Sequence, residues 1–172
     1  MEVFIVRNIV LIGFMGTGKT TAGRLLADTL SMPFVDTDEE IERSFGQPVF
    51  RILRVEGEWT FRRLEREVVH TLSDRTGSVI ATGGGVVLNH DNLRDLERNG
   101  NLVLLEASPE TIYERLKDGE PRPLVRGDQA VEMIRYLLDI RKAHYHWATT
   151  RVDTDGKTPE AVASEIVASL GR

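Results

Sequence analysis

The hydrophobic residues of this chain fall in short, nearly continuous runs rather than in alternating patterns. The runs occupy residues 8–13, 33–36, 78–82, 101–106 and 150–154, and most of them are rich in Val, Ile and Leu. A strand that is covered by helices on both faces has this pattern, because neither face needs polar side chains. The pattern therefore predicts five strands of a parallel sheet that is buried on both sides.

Helical patterns lie between these runs. From Thr20 to Leu30, apolar residues recur with the i, i+3, i+4 spacing of one helix face. The segments Ser-Pro-Glu at 108–110 and Thr-Pro-Glu at 158–160 each combine a helix N-cap, a proline in the first turn and an acid. Strands that alternate with helices predict an α/β fold. No linker or repeat divides the sequence, so we expect a single domain over residues 1–172.

The first run leads directly into GFMGTGKTT at residues 13–21, which matches G-x-x-x-x-G-K-[ST] through Gly13, Gly18, Lys19 and Thr20. Glycines let the backbone curl so that N–H groups face inward, and with the following helix N-terminus these donors bind phosphate. The lysine adds a cation for the β- and γ-phosphates, and the threonine hydroxyl is a ligand for Mg²⁺. A chance glycine-rich turn is the alternative. The strand before and the helix after the motif favour a nucleoside triphosphate site.

Two carboxylates, Asp36 and Asp38, follow the second run in FVDTDEEIE. If the backbone is extended there, both side chains point to the same side, and two like charges so placed need a positive partner. The ends of parallel strands meet at one edge of the sheet, where ligands bind. A carboxylate at that edge can hold Mg²⁺, directly or through water.

The segment WTFRRLERE at 59–67 places Arg62, Glu65 and Arg66 on one helix face. This face is either an exposed, ion-paired surface or part of a binding site, while Phe61 is expected to pack in the core. The chain has no NKxD element of the kind that recognises guanine, which disfavours a GTPase.

Two further segments are unusual. Three glycines at 83–85 follow a strand and leave N–H groups bare, so a ligand can approach the backbone closely; a flexible bend is the alternative. The segment KDGEPRPLVRG at 117–127 contains two prolines and two arginines between glycines, which suits a lid over phosphates; an ordinary charged loop is the alternative. Carboxylates, arginines and glycine N–H groups together fit a substrate with hydroxyls and a carboxylate.

Composition narrows the class of protein. The chain has no cysteine, which excludes disulfides, thiolate metal sites and a cysteine nucleophile. Its net charge of -5 disfavours a nucleic-acid partner, because such binding depends on neutralising phosphates. There is no apolar run of about 18 residues, so we expect no membrane span. The opening residues lack the pattern of a secretory signal, and we therefore expect a cytoplasmic protein.

The sequence resembles the shikimate kinase family from about residue 8 onward. The resemblance rests on GFMGTGKTT, DTDEEIE, GEWTFRRLE, ATGGG, RPLV and RKAHY, which occur in the family's order. It implies the three-layer fold of small P-loop kinases, with a five-stranded parallel sheet of order 2-3-1-4-5 flanked by helices and a mobile lid. The implied reaction transfers the γ-phosphate of ATP to the 3-hydroxyl of shikimate with Mg²⁺, as a step towards the aromatic amino acids, and the implied state is a monomer.

The resemblance also implies the site, residue by residue. The shikimate-binding region is about 37–66 and the lid about 116–127. The implied catalytic residues are Lys19, Asp38 and Arg122, and Arg122 would reach the transferring phosphate. Shikimate binding falls on Asp38 for the hydroxyls, on Arg62 and Arg141 for the carboxylate, and on Gly83, Gly84 and Gly85 for backbone contacts. ATP binding falls on Gly13, Gly16, Thr17, Gly18, Lys19, Thr20, Thr21, Arg115, Arg122 and Pro159. The metal would be held by Thr20 directly and by Asp36 through water.

His144 lies within the RKAHY motif and His146 directly follows it, and we expect both to be surface or packing residues. Two alternatives stay open. Another small P-loop kinase, such as one for gluconate, would share the phosphate loop and the lid but not the set DTD, FRRLE and GGG. A non-catalytic nucleotide-binding regulator would keep the fold without turnover.

Overall fold

Five parallel strands form the sheet of this protein, in a computed structural model that describes residues 6–118 and 129–171. The strands are β1 (Asn8–Ile12), β2 (Phe34–Asp36), β3 (Val79–Ala81), β4 (Gly100–Glu106) and β5 (Thr150–Asp153). Their order is β2-β3-β1-β4-β5, and every neighbouring pair is parallel. The predicted strands and the predicted strand order are confirmed.

Eight α-helices lie between and after the strands in the described residues. They are α1 (Lys19–Leu30), α2 (Thr37–Phe45), α3 (Val49–Val55), α4 (Gly57–Ser73), α5 (His90–Asn99), α6 (Pro109–Leu116), α7 (Ala130–Arg141) and α8 (Pro159–Leu170). Short 3₁₀ turns follow at Val86–Leu88 and Lys142–Trp147. The segment predicted to bind shikimate, 37–66, forms α2, α3 and the first part of α4. None of the described helices has the length and apolar character needed to cross a bilayer.

Strand β1 explains why the hydrophobic runs lack polar alternation. Ile9 and Leu11 face one side of the sheet and pack with residues of α1 and α8, such as Leu26. Val10 and Ile12 face the other side and pack with α4 and α5. Because successive side chains of a strand point to opposite faces, a strand between two helical layers must be apolar at every position.

The two predicted N-cap motifs start helices as expected. The Ser108 hydroxyl accepts a hydrogen bond from the backbone N–H of Thr111 at 3.2 Å, and the Thr158 hydroxyl accepts one from Ala161 at 3.3 Å. Proline occupies the first turn of both helices, where its missing N–H costs nothing.

The backbone from Asp36 to Asp38 is not extended, so the condition under which both side chains would point to the same side is not met. Helix α2 begins at Thr37, so only Asp36 belongs to the strand. Asp36 is instead the N-cap of α2, and its Oδ1 accepts a hydrogen bond from the N–H of Asp38 at 3.0 Å. A carboxylate at a helix N-terminus satisfies donors that the helix leaves open.

Arg66 belongs to an ionic cluster between α4 and α5. The Asp95 carboxylate accepts hydrogen bonds from Arg66 and Arg98 at 2.6 Å and lies 3.1 Å from His70 Nδ1. Partial burial raises the pKa of Asp95, but the hydrogen bonds from these three side chains outweigh it and bring the pKa down to about 2. For Arg66, the ion-paired interpretation of the helix face is therefore correct.

We expect Asp95→Asn to lower the free energy of unfolding at pH 7 by about 1–2 kcal/mol, because the amide loses charge-assisted hydrogen bonds. The folded pKa of about 2 lies below the ordinary value of 3.8. The stabilisation is therefore complete above about pH 5 and is lost progressively as the pH falls towards 2. Urea unfolding of both proteins between pH 7 and pH 3 measures this.

The matched control is Asp91→Asn in the same helix. Asp91 is exposed and pairs with the exposed Arg94 at 3.2 Å, so its replacement should change stability much less than that of Asp95. Equal effects of the two substitutions would contradict the assignment of Asp95 as the centre of the cluster.

Candidate active site

The loop between β1 and α1 is shaped by close backbone contacts. Gly13 has a φ of 144°, and a Cβ added there would lie 2.3 Å from the carbonyl oxygen of Leu105 on β4. A Cβ on Gly16 would lie 3.0 Å from the side chain of Leu116, at the end of α6. Gly18 is the N-cap of α1 and offers no side chain to its first turn. A helix N-terminus without a side-chain cap is what the motif predicts for an anion site.

Side chains of the loop hold it from within. Lys19 is buried, and its ammonium donates hydrogen bonds to the carbonyl oxygens of Gly13 at 3.0 Å and Phe14 at 2.7 Å. The Thr17 hydroxyl donates to the same Phe14 oxygen at 2.9 Å. The cation predicted for the phosphates therefore lies directly against the phosphate loop.

Thr20 and Asp36 meet at the junction of α1 and β2. The Thr20 hydroxyl donates to Asp36 Oδ2 at 2.8 Å, and Asp36 is largely buried. These two oxygen ligands beside a phosphate loop fit Mg²⁺, which prefers hard oxygen donors and keeps several waters. Within the described residues no group of three His, Cys, Asp or Glu side chains could hold a metal alone. Phosphate and water oxygens would therefore have to complete the coordination.

A cavity of about 340 Å³ lies beside the phosphate loop. The Arg115 guanidinium is fixed at its edge, donating to Gly16 O at 3.1 Å and to Thr154 Oγ1 at 3.0 Å. Pro159, the first residue of α8, also borders it. The predicted ATP-binding residues that line this cavity are Gly16, Thr17, Gly18, Thr21, Arg115 and Pro159.

The atoms that lie against residues 83–85 explain why all three residues are glycines. A Cβ on Gly83 would lie 2.4 Å from Asp38 Oδ1, and one on Gly85 would lie 2.4 Å from the Arg62 guanidinium. A Cβ on Gly84 would lie 3.1 Å from a backbone nitrogen of the phosphate loop. Each glycine therefore makes room for a different neighbour, and a flexible bend does not account for all three.

Arg141 completes this group. Its Nη1 donates to the carbonyl oxygen of Gly84 at 3.1 Å, and its guanidinium lies 4.9 Å from the centre of the Phe14 ring. The structure thus brings together Asp38, Arg62 and Arg141, which come from three helices, against one glycine segment beside the phosphate loop. These are the charged residues predicted for shikimate.

The prediction of three bare N–H groups is wrong at Gly83. Its N–H donates to the Thr37 hydroxyl at 2.8 Å. Within the described part of the chain, no hydrogen bond from the N–H of Gly84 or Gly85 is formed. No acceptor among the described residues uses these two backbone donors, which suits a ligand-binding role.

Electrostatics favour an anion between the two arginines. Burial lowers the pKa of Arg141, and the nearby Arg62 adds to this, because each cation disfavours the other. Arg62 is held by Glu65, whose two carboxylate oxygens accept from Nη1 at 2.9 and 3.0 Å. Burial raises the pKa of Glu65 in spite of this partner. A carboxylate bound between Arg62 and Arg141 would relieve their repulsion.

The remaining predictions concern Phe61, the two histidines and the lid. Phe61 is buried, as expected. His146 is exposed and the His144 ring packs against His90 with 5.3 Å between ring centres, which agrees with surface and packing roles. Arg122 and most of the predicted lid, 116–127, lie outside the described residues. The sequence motifs did not identify Thr37 as a site residue, although its hydroxyl lies between two aspartates in the sequence.

The comparison with known proteins decides the family. The family model for shikimate kinase matches residues 15–171. The chain belongs to the shikimate kinase family. A shikimate kinase from Thermodesulfovibrio yellowstonii is 44% identical over 166 residues, which cover 96% of both chains. The structure of a shikimate kinase from Acinetobacter baumannii in complex with shikimate superposes with a TM-score of 0.90 at 36% identity, covering 96% of this chain and 93% of that one.

A gluconokinase from Sinorhizobium meliloti is more distant. It superposes with a TM-score of 0.61 at 20% identity, over 99% of this chain and 94% of that one. At this level of identity the likeness shows the shared P-loop kinase fold and nothing about the acceptor.

We expect Gly13→Ala to abolish measurable MgATP binding and to lower the free energy of unfolding by more than about 2 kcal/mol. Its Cβ would meet the Leu105 carbonyl oxygen, which belongs to the sheet and cannot turn aside. Calorimetric titration with MgATP and thermal unfolding measure the two effects.

Gly46→Ala is the control, because Gly46 also has a positive φ, of 77°, but a Cβ there would meet nothing within 4 Å. It should cost only the backbone strain of about 1–2 kcal/mol and keep MgATP affinity. Retained MgATP affinity in Gly13→Ala would contradict the role given to the contact between Gly13 and Leu105.

Proposed function

We propose that this protein transfers the γ-phosphoryl group of ATP to the 3-hydroxyl of shikimate, giving shikimate 3-phosphate and ADP. The observation that carries the proposal is the meeting of Asp38, Arg62 and Arg141 on one glycine segment beside the phosphate loop. Membership of the shikimate kinase family supports it, as does the similarity to a structure that contains shikimate.

On the donor side, the loop N–H groups and Lys19 would bind the phosphates of ATP, and Arg115 and Pro159 would border the adenine. Thr20, with Asp36 contributing through water, would hold Mg²⁺, which would supply positive charge to the phosphates. The protein's own contribution is to hold the γ-phosphate at the mouth of the loop, next to the acceptor pocket.

On the acceptor side, Arg62 and Arg141 would bind the shikimate carboxylate, and the N–H groups of Gly84 and Gly85 would add donors. Paired guanidinium groups fix both the position and the plane of a carboxylate. The ring is thereby held so that one hydroxyl faces the γ-phosphate in line with the bond that breaks. Asp38 would accept hydrogen bonds from the ring hydroxyls.

The proposed positions of ATP and shikimate define which bonds form and break. The 3-hydroxyl oxygen forms a bond to the γ-phosphorus while the bond from that phosphorus to the β,γ-bridging oxygen breaks. Asp38 takes the proton of the hydroxyl, and the electrons of the broken bond stay on ADP. Lys19 offsets negative charge on the transferring group. The roles proposed for Arg122 and for the lid over 116–127 rest on the sequence alone, since these residues lie outside the described ranges.

The wider setting is also a proposal. We infer a monomeric, cytoplasmic enzyme whose partners are ATP and shikimate, with no nucleic-acid partner. The net charge of -5 supports the last point, because the positive residues of the site are confined to a pocket in an otherwise acidic protein.

A coupled assay of ADP release with MgATP tests the proposed function, comparing shikimate, gluconate and no acceptor. We expect release that depends on shikimate and is at background level with gluconate. Release with gluconate alone would overturn the acceptor while keeping the fold and the phosphate loop. ATP binding without release for either acceptor would favour the regulator hypothesis.

Arg62→Lys tests the acceptor pocket without removing the charge that Glu65 needs. Lysine cannot form two parallel hydrogen bonds to a carboxylate, so we expect the KM for shikimate to rise by about tenfold to a hundredfold, while the KM for ATP stays within about twofold. Steady-state kinetics measure both constants.

Arg63→Lys is the matched control on the next position of α4. Arg63 is exposed and pairs with Glu67 at 2.8 Å on the outer side of the helix. Its replacement should leave both constants unchanged. An unchanged KM for shikimate in Arg62→Lys would show that Arg62 does not bind the substrate.

A further inference from the structure

Thr37 makes an unusual hydrogen bond at the end of the sheet. It is fully buried, and its hydroxyl oxygen accepts a hydrogen bond from the backbone N–H of Gly83 at 2.8 Å. The last backbone-paired residues of β2 and β3 are Asp36 and Ala81, so this bond lies just beyond the end of the strand ladder.

The bond continues the ladder with a side chain in place of a backbone group. At the start of the ladder, the N–H of Val79 donates to the carbonyl oxygen of Pro33 at 2.9 Å. Positions 79 and 33 are 46 residues apart, as are Gly83 and Thr37. In a longer strand, Gly83 would therefore donate to the carbonyl of Thr37. That carbonyl is unavailable because α2 begins at Thr37 and takes it into the helix.

The hydroxyl of Thr37 thus allows α2 to begin at a position where the neighbouring strand β3 still needs a hydrogen-bond acceptor. The chain turns from strand to helix one residue before Asp38, and the neighbouring strand still finds an acceptor for its next N–H. Without an acceptor, the buried N–H of Gly83 would be unsatisfied, and the segment would have to move to pair it.

The segment that this bond fixes is the one against which the acceptor pocket is built. Asp38 lies against Gly83, and Arg62 lies against Gly85, each at 2.4 Å from the position of an added Cβ. Arg141 donates to the carbonyl oxygen of Gly84. A shift of the segment by a few tenths of an ångström would therefore change the spacing between the acid and the two arginines.

We propose that Thr37 is a positioning residue for the phosphoryl acceptor: its hydroxyl fixes the segment 83–85 relative to Asp38 and so sets the geometry of the acceptor pocket. The inference rests on the proposed function. It assigns a role to the middle residue of the DTD sequence that neither aspartate can fill.

The test compares Thr37→Val, which keeps the shape but cannot accept a hydrogen bond, with Thr37→Ser, which keeps the hydroxyl. We expect Thr37→Val to raise the KM for shikimate by about tenfold or more, with the KM for ATP within about twofold of the wild-type value. Thr37→Ser should restore most of the shikimate affinity. Thr37→Ala serves in place of the valine variant if that variant does not fold.

Thr82→Val is the matched control. Thr82 is also buried and directly precedes Gly83, but its hydroxyl donates to Leu11 O on β1 at 3.0 Å. It should lower thermal stability as much as Thr37→Val does and leave the KM for shikimate unchanged. A rise in KM for Thr82→Val equal to that for Thr37→Val would overturn the proposal, as would a serine variant as defective as the valine variant.

Amide hydrogen exchange separates this inference from the proposed function, because it needs no substrate. In the wild-type protein the N–H of Gly83 should be protected more strongly than those of Gly84 and Gly85, and Thr37→Val should remove that protection. If shikimate gives no ADP release with the wild-type protein, the proposed function fails while this measurement still tests the hydrogen bond. Equal exchange at Gly83 in both proteins would overturn the role of Thr37.

Discussion

At the carboxyl edge of the sheet the chain passes so close to itself that side chains are excluded at defined points. The carbonyl oxygen of Leu105 occupies the space where a Cβ of Gly13 would be. The same exclusion recurs one strand away, where Asp38 and Arg62 occupy the space of side chains that Gly83 and Gly85 lack. The phosphate loop and the glycine segment also approach each other closely, since a Cβ on Gly84 would lie 3.1 Å from the backbone nitrogen of Met15.

The charges of the site are arranged around this edge in an acidic protein. Lys19 lies inside the phosphate loop, and Arg62 and Arg141 lie beyond it against the glycine segment. Each has a local reason to be there: backbone carbonyls for Lys19, the buried Glu65 for Arg62, and a carbonyl with an aromatic ring for Arg141. Since burial of positive charge is unfavourable unless it is offset, these contacts keep the cations in place before an anion arrives.

The phosphate loop was predictable from residues 13–21 because its geometry is local: a strand, a glycine-rich turn and a helix are consecutive in sequence. The helix face of Arg62, Glu65 and Arg66 was not, because one face can serve two neighbours. In the structure Arg62 turns to Glu65 and the glycine segment, whereas Arg66 reaches Asp95 on α5. The packing of α5 against α4 gives the two arginines different partners, and the i, i+3, i+4 spacing alone does not predict this.

The sequence by itself determined the sheet, the helix starts at Ser108 and Thr158, and the phosphate loop, because the residues concerned interact with near neighbours or share one hydrophobic period. The tertiary structure decided which donors and acceptors of the acceptor pocket are already used. The N–H of Gly83 is taken by Thr37, 46 residues earlier, and the Asp36 carboxylate is shared between Thr20 and the start of α2. Such pairs depend on where strands end relative to one another, and that register is set by the packing of the whole sheet rather than by any local pattern.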